Sequence, residues 1–241
     1  GGLWWADGPS CMFATGLLDA RTDARFDAMF GYLQQTWGTM IGLTNRMDEP
    51  KELGKRNPFW YVNSSERGYF ENLLARGEIE KALLILYSNL AYGLTQDCFQ
   101  TVERIHVSDA NYAPFQPNAS GNGRLLDMLR RMVIDDQEPG ALWLLRGCPR
   151  RWFAPGQSIV VEDAPTFSGK MALRTEATDD TVVIDVEPPA GGAAVDLRVV
   201  VRHPGRTAPK SVTVNGAPGT MEQETVVLPQ ARGPYQIRCQ Y

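Results

Sequence analysis

Metal-binding and redox residues are scarce in this 241-residue chain, which contains two histidines and four cysteines. Two histidines are too few for a histidine-rich metal centre. The cysteines lie far apart and match neither a zinc-ligand spacing nor a C-x-x-C redox pair. We therefore predict no metal site and no cofactor, and expect the cysteines to be small buried apolar residues. They are Cys11, Cys98, Cys148 and Cys239.

An excess of basic residues is also missing. The 24 Lys and Arg residues face 28 Asp and Glu residues, which gives a net charge of −4. Binding to nucleic acid needs a concentrated positive field, so this balance argues against DNA or RNA as a partner. No apolar run approaches the ~20 residues that cross a bilayer, and we predict no membrane partner. The sequence also lacks a Gly-x-Ser-x-Gly elbow and a complete phosphate loop.

What the first half does contain is helical periodicity. In residues 63–95, Phe70, Leu73 and Leu74 form one apolar stripe, and Gly77 stands where a helix ends in the left-handed conformation. A second helix follows at once, so the two are predicted to form an αα-hairpin. Its inward face is expected to hold Ala82, Leu83, Leu86 and Leu90.

Three further stretches, residues 9–20, 22–38 and 123–135, show the same apolar spacing. Thr22 is expected to cap the second of them, and Ser120 or Asn118 the third, because these side chains accept a hydrogen bond from a first-turn amide. The sequence thus predicts five or six helices before the pattern changes.

From Gly140 onward the pattern becomes that of strands. Short segments rich in Val, Ile and Thr alternate with polar residues and are separated by Gly, Pro, Asp or Asn. No helix-length pattern interrupts them, which argues against a βαβ arrangement. We predict an α+β, multidomain fold: an α/α-hairpin domain at residues 1–137, followed by an antiparallel β-sandwich at residues 138–241.

Four stretches carry a resemblance to a known class of enzyme. They read "GGLWWADGPS", "YVNSSERGYFENLLARGEIEKALLILYSNLAYG", "TVERIHVSDANYAPFQPNASGNGRLLDMLRRM" and "GCPRRWFAPGQSIVVEDAPTFSGKMALRTE". Together they resemble the six-hairpin, or (α/α)-toroid, glycoside hydrolases that carry a trailing β-sandwich. The resemblance implies an enzyme acting on an oligo- or polysaccharide. A whole toroid has more helices than are predicted here, so either an upstream segment of the same protein completes it or the chain is a smaller relative.

Glycoside hydrolysis uses two carboxyl groups, one as acid and one as base or nucleophile. Our first candidate is Glu103, whose apolar neighbours would raise its pKa while Arg104 or His106 would lower it. The alternative is a Glu103 that only forms an ion pair. The second candidate is Asp7, for which the alternative is an ordinary turn before a helix.

The candidate substrate-binding residues are aromatic, amide and charged. Trp4 and Trp5 offer faces for sugar rings, and Glu66 follows two aromatic residues, although it also suits the first turn of a helix. Residues 108–122 form a long segment with rings and amides, which both donate and accept hydrogen bonds as sugar hydroxyls do. Its alternative is a plain connector. From this part of the chain we select Tyr112, Gln116, Asn118 and Arg124.

Two other functions remain open. A polysaccharide lyase of similar layout would use Tyr112 or His106 to remove a proton, with Asn118 or Arg124 neutralising a uronate. A non-catalytic glycan-binding module is the other. The sequence does not distinguish a secreted or periplasmic location from a cytoplasmic one.

Overall fold

The structure is a computed structural model, and it describes the chain in ten stretches. These are residues 12–13, 15–32, 39–40, 43–44, 60–62, 69–95, 97–102, 104–106, 118–189 and 194–241. Contacts divide the chain into two compact units, Gly1–Arg130 and Arg131–Tyr241. Helices occur in the first unit and the larger sheets in the second. This distribution confirms the predicted mixture of α and β structure.

An αα-hairpin is the main feature of the first unit. Helix α1 is Arg25–Tyr32, α2 is Tyr69–Arg76, α3 is Ile79–Tyr92 and α4 is Ala119–Val133. Between α2 and α3, Gly77 has a φ of +74°. The Gly77 amide donates to the Leu74 carbonyl at 3.0 Å and the Glu78 amide to the Leu73 carbonyl at 2.9 Å. The predicted left-handed stop at Gly77 is confirmed. Among the described helices, none has the length and apolarity to cross a membrane.

The buried face of the hairpin agrees with the prediction in α2 and departs from it in α3. Phe70, Leu73 and Leu74 are buried as expected. In α3, Leu83 and Leu90 are only half-buried. The reason is helical spacing: the stripe that starts at Ala82 continues at i+3, i+4 and i+7. Its buried members are Ala82, Ile85, Leu86 and Asn89.

Aromatic rings connect α1 to the hairpin. The Phe13 and Phe26 ring centroids lie 5.4 Å apart edge to face, and Phe26 stacks on Phe30 at 5.9 Å. Phe30 in turn lies 5.2 Å from Tyr69, the first residue of α2. Buried aromatic pairs of this kind each add about 0.5–1.5 kcal/mol to the burial of area. This cluster is the described core around α1.

The sequence prediction for residues 9–38 needs two corrections. Residues 15–20 form turns and bends, because Gly16 takes a φ of +74° and stops a helical continuation. At the start of α1, Asp23 accepts a hydrogen bond from the Arg25 amide at 3.0 Å. Asp23, rather than Thr22, therefore supplies the first-turn acceptor.

Two short ribbons, which the sequence did not predict, complete the description of the first unit. Strand β1, Thr39–Met40, pairs with β2, Leu43–Thr44. Strand β3, Trp60–Val62, pairs antiparallel with β4, Arg104–His106, so that Val62 lies opposite Arg104.

The second unit contains two sheets. The four-stranded sheet has the order β13-β10-β6-β5, and the six-stranded sheet has the order β12-β11-β14-β9-β8-β7. The strands are β5 Ile134–Asp135, β6 Ala141–Leu144, β7 Ser158–Thr166, β8 Gly169–Ala177, β9 Thr181–Glu187, β10 Val195–Val200, β11 Ser211–Val214, β12 Ala217–Pro218, β13 Thr225–Ala231 and β14 Tyr235–Gln240. A 3-10 helix spans Arg150–Phe153. The prediction of short strands rich in Val, Ile and Thr from Gly140 onward is confirmed.

One pairing departs from the antiparallel prediction. Strand β10 runs parallel to β6, with Leu197 opposite Leu142 and Val199 opposite Leu144. Parallel strands need a crossover connection, and here it contains the 3-10 helix and strands β7, β8 and β9 instead of an α-helix.

One hydrophobic cluster of the described residues draws its members from both sheets. It contains Leu144 and Leu197 from the four-stranded sheet and Leu173, Ile184 and Ile237 from the six-stranded sheet. Leu144, Leu197, Ile184 and Ile237 are fully buried. Along β8 and β14, buried and less buried positions alternate, as expected when one face of a strand packs on a core.

The cysteines follow the prediction in part. Cys148 and Cys239 are buried in this cluster, which confirms the expected apolar role, and burial raises the pKa of the Cys239 thiol to about 12. Cys98 is exposed, so the expectation is wrong there. Cys11 lies outside the described residues.

Candidate functional site

Most of the predicted site lies outside the part of the chain that the structure describes. That group is Trp4, Trp5, Asp7, Glu66, Glu103, Tyr112 and Gln116. Asn118 and Arg124 are described, and so are both sequence neighbours of Glu103. The described residues therefore show how the chain is held on either side of Glu103, but not the candidate carboxyl groups themselves.

Asn118 caps helix α4. Its Oδ1 accepts a hydrogen bond from the Gly121 amide at 2.6 Å and from the Ser120 hydroxyl at 2.7 Å. This confirms Asn118, one of the two predicted caps, and α4 begins at Ala119, four positions before the apolar pattern that starts at residue 123. The side-chain oxygen that was predicted to meet a sugar is thus engaged with the helix, and a substrate contact by Asn118 stays a prediction.

Thr101 ties together the two ends of the long segment that runs to α4. The Asn118 amide donates to the Thr101 carbonyl at 3.0 Å, and Thr101 Oγ1 lies 2.7 Å from the Asn118 carbonyl oxygen. Thr101 Oγ1 also lies 2.7 Å from Asn122 Oδ1. A Cβ at position 121 would stand 2.7 Å from Thr101 Oγ1, so only Gly121 permits this approach. Thr101 and Asn118, the positions on either side of residues 102–117, therefore lie in direct contact.

Both sequence neighbours of Glu103 are anchored. Val102 is buried, and its amide donates to the Gly93 carbonyl, just after α3, at 3.1 Å. Arg104 pairs with Val62 in the β3–β4 ribbon. Position 103 thus lies in sequence between one residue fixed to the hairpin and one fixed to the ribbon.

Arg124 forms a buried ion pair with Glu71. Its Nη1 donates to Glu71 Oε1 at 3.0 Å and its Nη2 to Oε2 at 3.3 Å. The two side chains are 6% and 7% exposed, so the pair joins α4 to α2 away from solvent. Sequence reasoning missed Glu71, although its place three residues before Leu74 put a carboxylate on the buried stripe. Substrate binding by Arg124 stays a prediction.

Two described carboxyl groups of the helical unit do not suit a general acid, which needs a raised pKa. Hydrogen bonds from Arg25 lower the pKa of Asp23 to about 2. Burial raises the pKa of Glu78, but hydrogen bonds from Lys81 and Arg76 outweigh it and hold that pKa below its usual value. Both carboxylates therefore stay charged at neutral pH.

Charged side chains of the sheet unit also form ion pairs and cation–π contacts that stabilise the fold. Asp135 accepts from Arg131 and from Arg146, each at 3.2 Å, and all three side chains are buried. The Arg146 guanidinium stacks on Trp143 with 4.0 Å to the ring centroid, and Arg198 lies 5.0 Å from the same centroid. These groups hold strands β5, β6 and β10 together.

Comparisons with known proteins give distant similarities. No protein-family model and no curated protein matches the chain. A beta-arabinofuranosidase of family GH127 is similar with a TM-score of 0.40 and 13% identity, over 76% of this chain and 32% of that one. An alpha-L-rhamnosidase from Dictyoglumus thermophilum is similar with a TM-score of 0.45 and 11% identity, over 90% and 23%. The chain therefore spans less than a third of each of these proteins.

Proposed function

We propose that the chain is a glycoside hydrolase, or the part of one that carries a catalytic carboxylate, and that it acts on an oligo- or polysaccharide. The observation that carries the proposal is the anchoring on both sides of Glu103. Val102 is held by the end of α3, and Arg104 is held by β3. An acid catalyst needs this support, because a displacement of about 1 Å lowers the rate strongly.

In this proposal Glu103 is the acid or base, and Asp7 is the second carboxylate. Thr101 and Asn118, which flank in sequence the segment that contains Tyr112 and Gln116, are hydrogen-bonded to each other, and this supports the proposal that the segment serves as a binding loop. Asn118 and Arg124 would act mainly by holding the chain beside that segment. The remaining members of the proposed subsite are Trp4, Trp5 and Glu66.

The finer fold assignment belongs to the same proposal. The αα-hairpin would be part of an (α/α) toroid that a further segment of the protein completes, and the two sheets would be its trailing β-sandwich. The domains would then be residues 1–137 and 138–241. Both similar structures are glycosidases by name, but TM-scores of 0.40 and 0.45 are too low to carry this assignment.

The test is a Glu103→Gln substitution in the natural full-length protein. Wild type and variant are incubated with aryl glycosides, alpha-L-rhamnosides and beta-arabinofuranosides among them, and with neutral and uronate polysaccharides. We expect release of aryl alcohol or reducing sugar to fall about 10²- to 10⁴-fold. The control is Glu80→Gln, which removes an exposed carboxylate from α3 and should leave the rate unchanged.

The other outcomes separate the alternatives. Full activity of Glu103→Gln, with unchanged circular dichroism, would remove Glu103 from the mechanism. Ultraviolet absorbance from a new double bond in uronate products would assign the lyase function, which nothing among the described residues favours. Binding of a polysaccharide without turnover by the wild type would assign the non-catalytic module.

A further inference from the structure

A cleft of about 310 Å³ opens at one end of the sheet unit. Its floor contains Ala141, Leu142 and Val195, which are buried apolar residues of β6 and β10. One wall is the loop of residues 136–140, between β5 and β6, and the other is the tight turn between β7 and β8. The cleft thus lies wholly within the second unit.

Phe167 stands at the tip of that turn with 80% of its surface exposed. A single exposed apolar side chain is ordinary on a protein surface and needs no explanation. Phe167 differs because its ring belongs to the same cleft as the buried apolar floor. The ring therefore offers a flat apolar wall at the entrance of a concave surface.

The two walls are joined to each other. The Phe167 amide donates to Asp136 Oδ2 at 3.0 Å, across the cleft lining. Within the turn, Thr166 Oγ1 donates to the Gly169 carbonyl at 2.7 Å and lies 3.2 Å from the Ser168 amide. These bonds fix the backbone that carries the ring, so little ordering is needed when a ligand binds.

The polar groups of the cleft fall into two sets. Glu138 accepts from the Trp143 indole at 2.8 Å and Asp136 accepts from the turn, so both carboxylates are held in place. The side chains of Gln137 and Ser168 line the cleft, and neither makes a hydrogen bond to another described residue. The cleft thus presents an aromatic face, an amide and a hydroxyl to a ligand.

The charge of the lining selects the ligand class. Asp136 and Glu138 are the charged residues of the lining, no lysine or arginine is among its described members, and the Arg198 guanidinium lies 3.9 Å from Glu138. Because Arg198 is already paired with Glu138, the described lining offers phosphate, sulfate and uronate groups no cationic partner of its own. A neutral sugar fits instead, because its apolar ring face stacks on Phe167 while its hydroxyls meet amide, hydroxyl and carboxylate groups. The volume lies at the lower end of small-molecule sites, which suits a short saccharide.

We propose that this cleft, which we name the Phe167 cleft, binds one end or one unit of a neutral glycan. It would be a second carbohydrate site, separate from the carboxylate site proposed around Glu103. It needs no catalysis, and its existence does not depend on the activity of Glu103.

The experiment measures glycan binding by affinity electrophoresis. The full-length protein and its variants run through native gels that contain neutral arabinan, xylan or mixed-linkage β-glucan, with polygalacturonate as the anionic probe. All variants carry Glu103→Gln so that hydrolysis cannot remove the polysaccharide. Phe167→Ala tests the ring, Gln137→Ala tests the amide, and Val227→Ala is the control, because Val227 is a half-exposed residue of β13 outside the cleft.

We expect at least one neutral polysaccharide to retard the protein. Phe167→Ala should weaken that binding by about five- to tenfold and Gln137→Ala by about two- to fivefold, with Val227→Ala unchanged. Because Phe167 is exposed, its removal should leave the melting temperature unchanged, which separates loss of binding from loss of folding.

Three results would overturn the proposal. One is retardation that persists in full after Phe167→Ala. The second is stronger retardation by polygalacturonate than by every neutral probe, or no retardation at all. The third is a loss of dimer with Phe167→Ala in sedimentation without any change in glycan binding, which would assign the cleft to a second copy of the chain. If Glu103→Gln proves fully active, Glu103 leaves the proposed mechanism, while the comparison of Phe167→Ala with its parent still decides the cleft.

Discussion

The contacts that stabilise the helical unit internally differ from those that stabilise the sheet unit. In the helical unit, α2 and α4 are joined by the Glu71–Arg124 pair, whose members are far apart in sequence and shielded from water. In the sheet unit, backbone ladders connect neighbouring strands, and one described apolar cluster is shared by both sheets. Both units contain buried apolar side chains and buried ion pairs, because Asp135 of the sheet unit also binds Arg131 and Arg146. The difference is that the Glu71–Arg124 pair joins two helices, whereas neighbouring strands are also joined by their backbones. Loss of one partner of that pair should therefore act strongly on α2 and α4.

The largest effect is expected from Arg124→Met. It leaves the Glu71 carboxylate buried without its guanidinium partner, and breaking a buried pair costs about 3–5 kcal/mol. Hydrogen exchange should show lost protection in α2 and α4 while β8 and β9 keep theirs. The control is Arg21→Met, whose Asp19 partner is 41% exposed and whose ion pair contributes less than about 1 kcal/mol.

A double variant sharpens this result. Glu71→Leu with Arg124→Met replaces the pair by apolar groups, and should recover most of the lost stability. If the double variant is as unstable as the single one, the pair acts through geometry and not through its buried charge.

The next largest effect is expected from Leu197→Ala in the sheet unit. Leu197 is fully buried between the sheets, and removal of its side chain should cost about 3 kcal/mol through lost burial and a residual cavity. Urea unfolding measures the loss. Val227→Ala, on the exposed side of the neighbouring strand, should change the free energy of unfolding by less than about 0.5 kcal/mol. Equal losses in both variants would contradict the assigned core.

A smaller effect is expected from Asn118→Ala, which removes the cap of α4. The cost should be about 1 kcal/mol, with faster hydrogen exchange at Gly121 and its neighbours. Asn118→Asp keeps the acceptor and should restore the protection. A change in glycosidase activity that Asn118→Asp does not restore would instead point to contact with substrate through the amide.

The smallest effect concerns His203 and pH. Burial, followed by the charge of Arg150, lowers the pKa of His203, and its Nδ1 accepts from the Gly205 amide at 3.2 Å. Since the folded state favours the neutral ring, the stability that His203 contributes is fully present above its ordinary pKa of about 6.5 and is lost as the pH falls from there through the lowered pKa of the folded state. His203→Gln should flatten the change in urea midpoint between about pH 7.5 and about pH 5. An identical pH dependence in both proteins would refute this role.

The comparison also explains how much the sequence could predict. Strand segments such as Gly169–Ala177 were recognisable because a one-sided strand alternates every second residue. The αα-hairpin was recognisable because Gly77 separates two apolar stripes that each have helical spacing. The cap of α4 was predicted only as Ser120 or Asn118, because either side chain can accept from a first-turn amide, and the bond from the Gly121 amide decides for Asn118.

Contacts between distant residues set the limit for the rest. No local pattern in the sequence predicts the ion pair of Glu71 with Arg124, which are 53 positions apart. The same holds for the parallel pairing of β10 with β6. The ribbon strands β3 and β4 have three residues each, too few for a periodic signal. In the candidate site, Arg124 was chosen for its charge, whereas its burial is a property of the folded unit.

The parallel pairing of β6 with β10 has a consequence for synthesis on the ribosome. Ala141 lies beside Asp196, which is 196 − 141 = 55 residues later. At a synthesis rate of about 5–20 residues per second, the edge of β6 that pairs with β10 stays unpaired for roughly 3–11 s until β10 has been made. During that interval the nascent chain carries an open strand rich in leucine, which makes it a segment for a chaperone to shield and a place where translation speed affects yield.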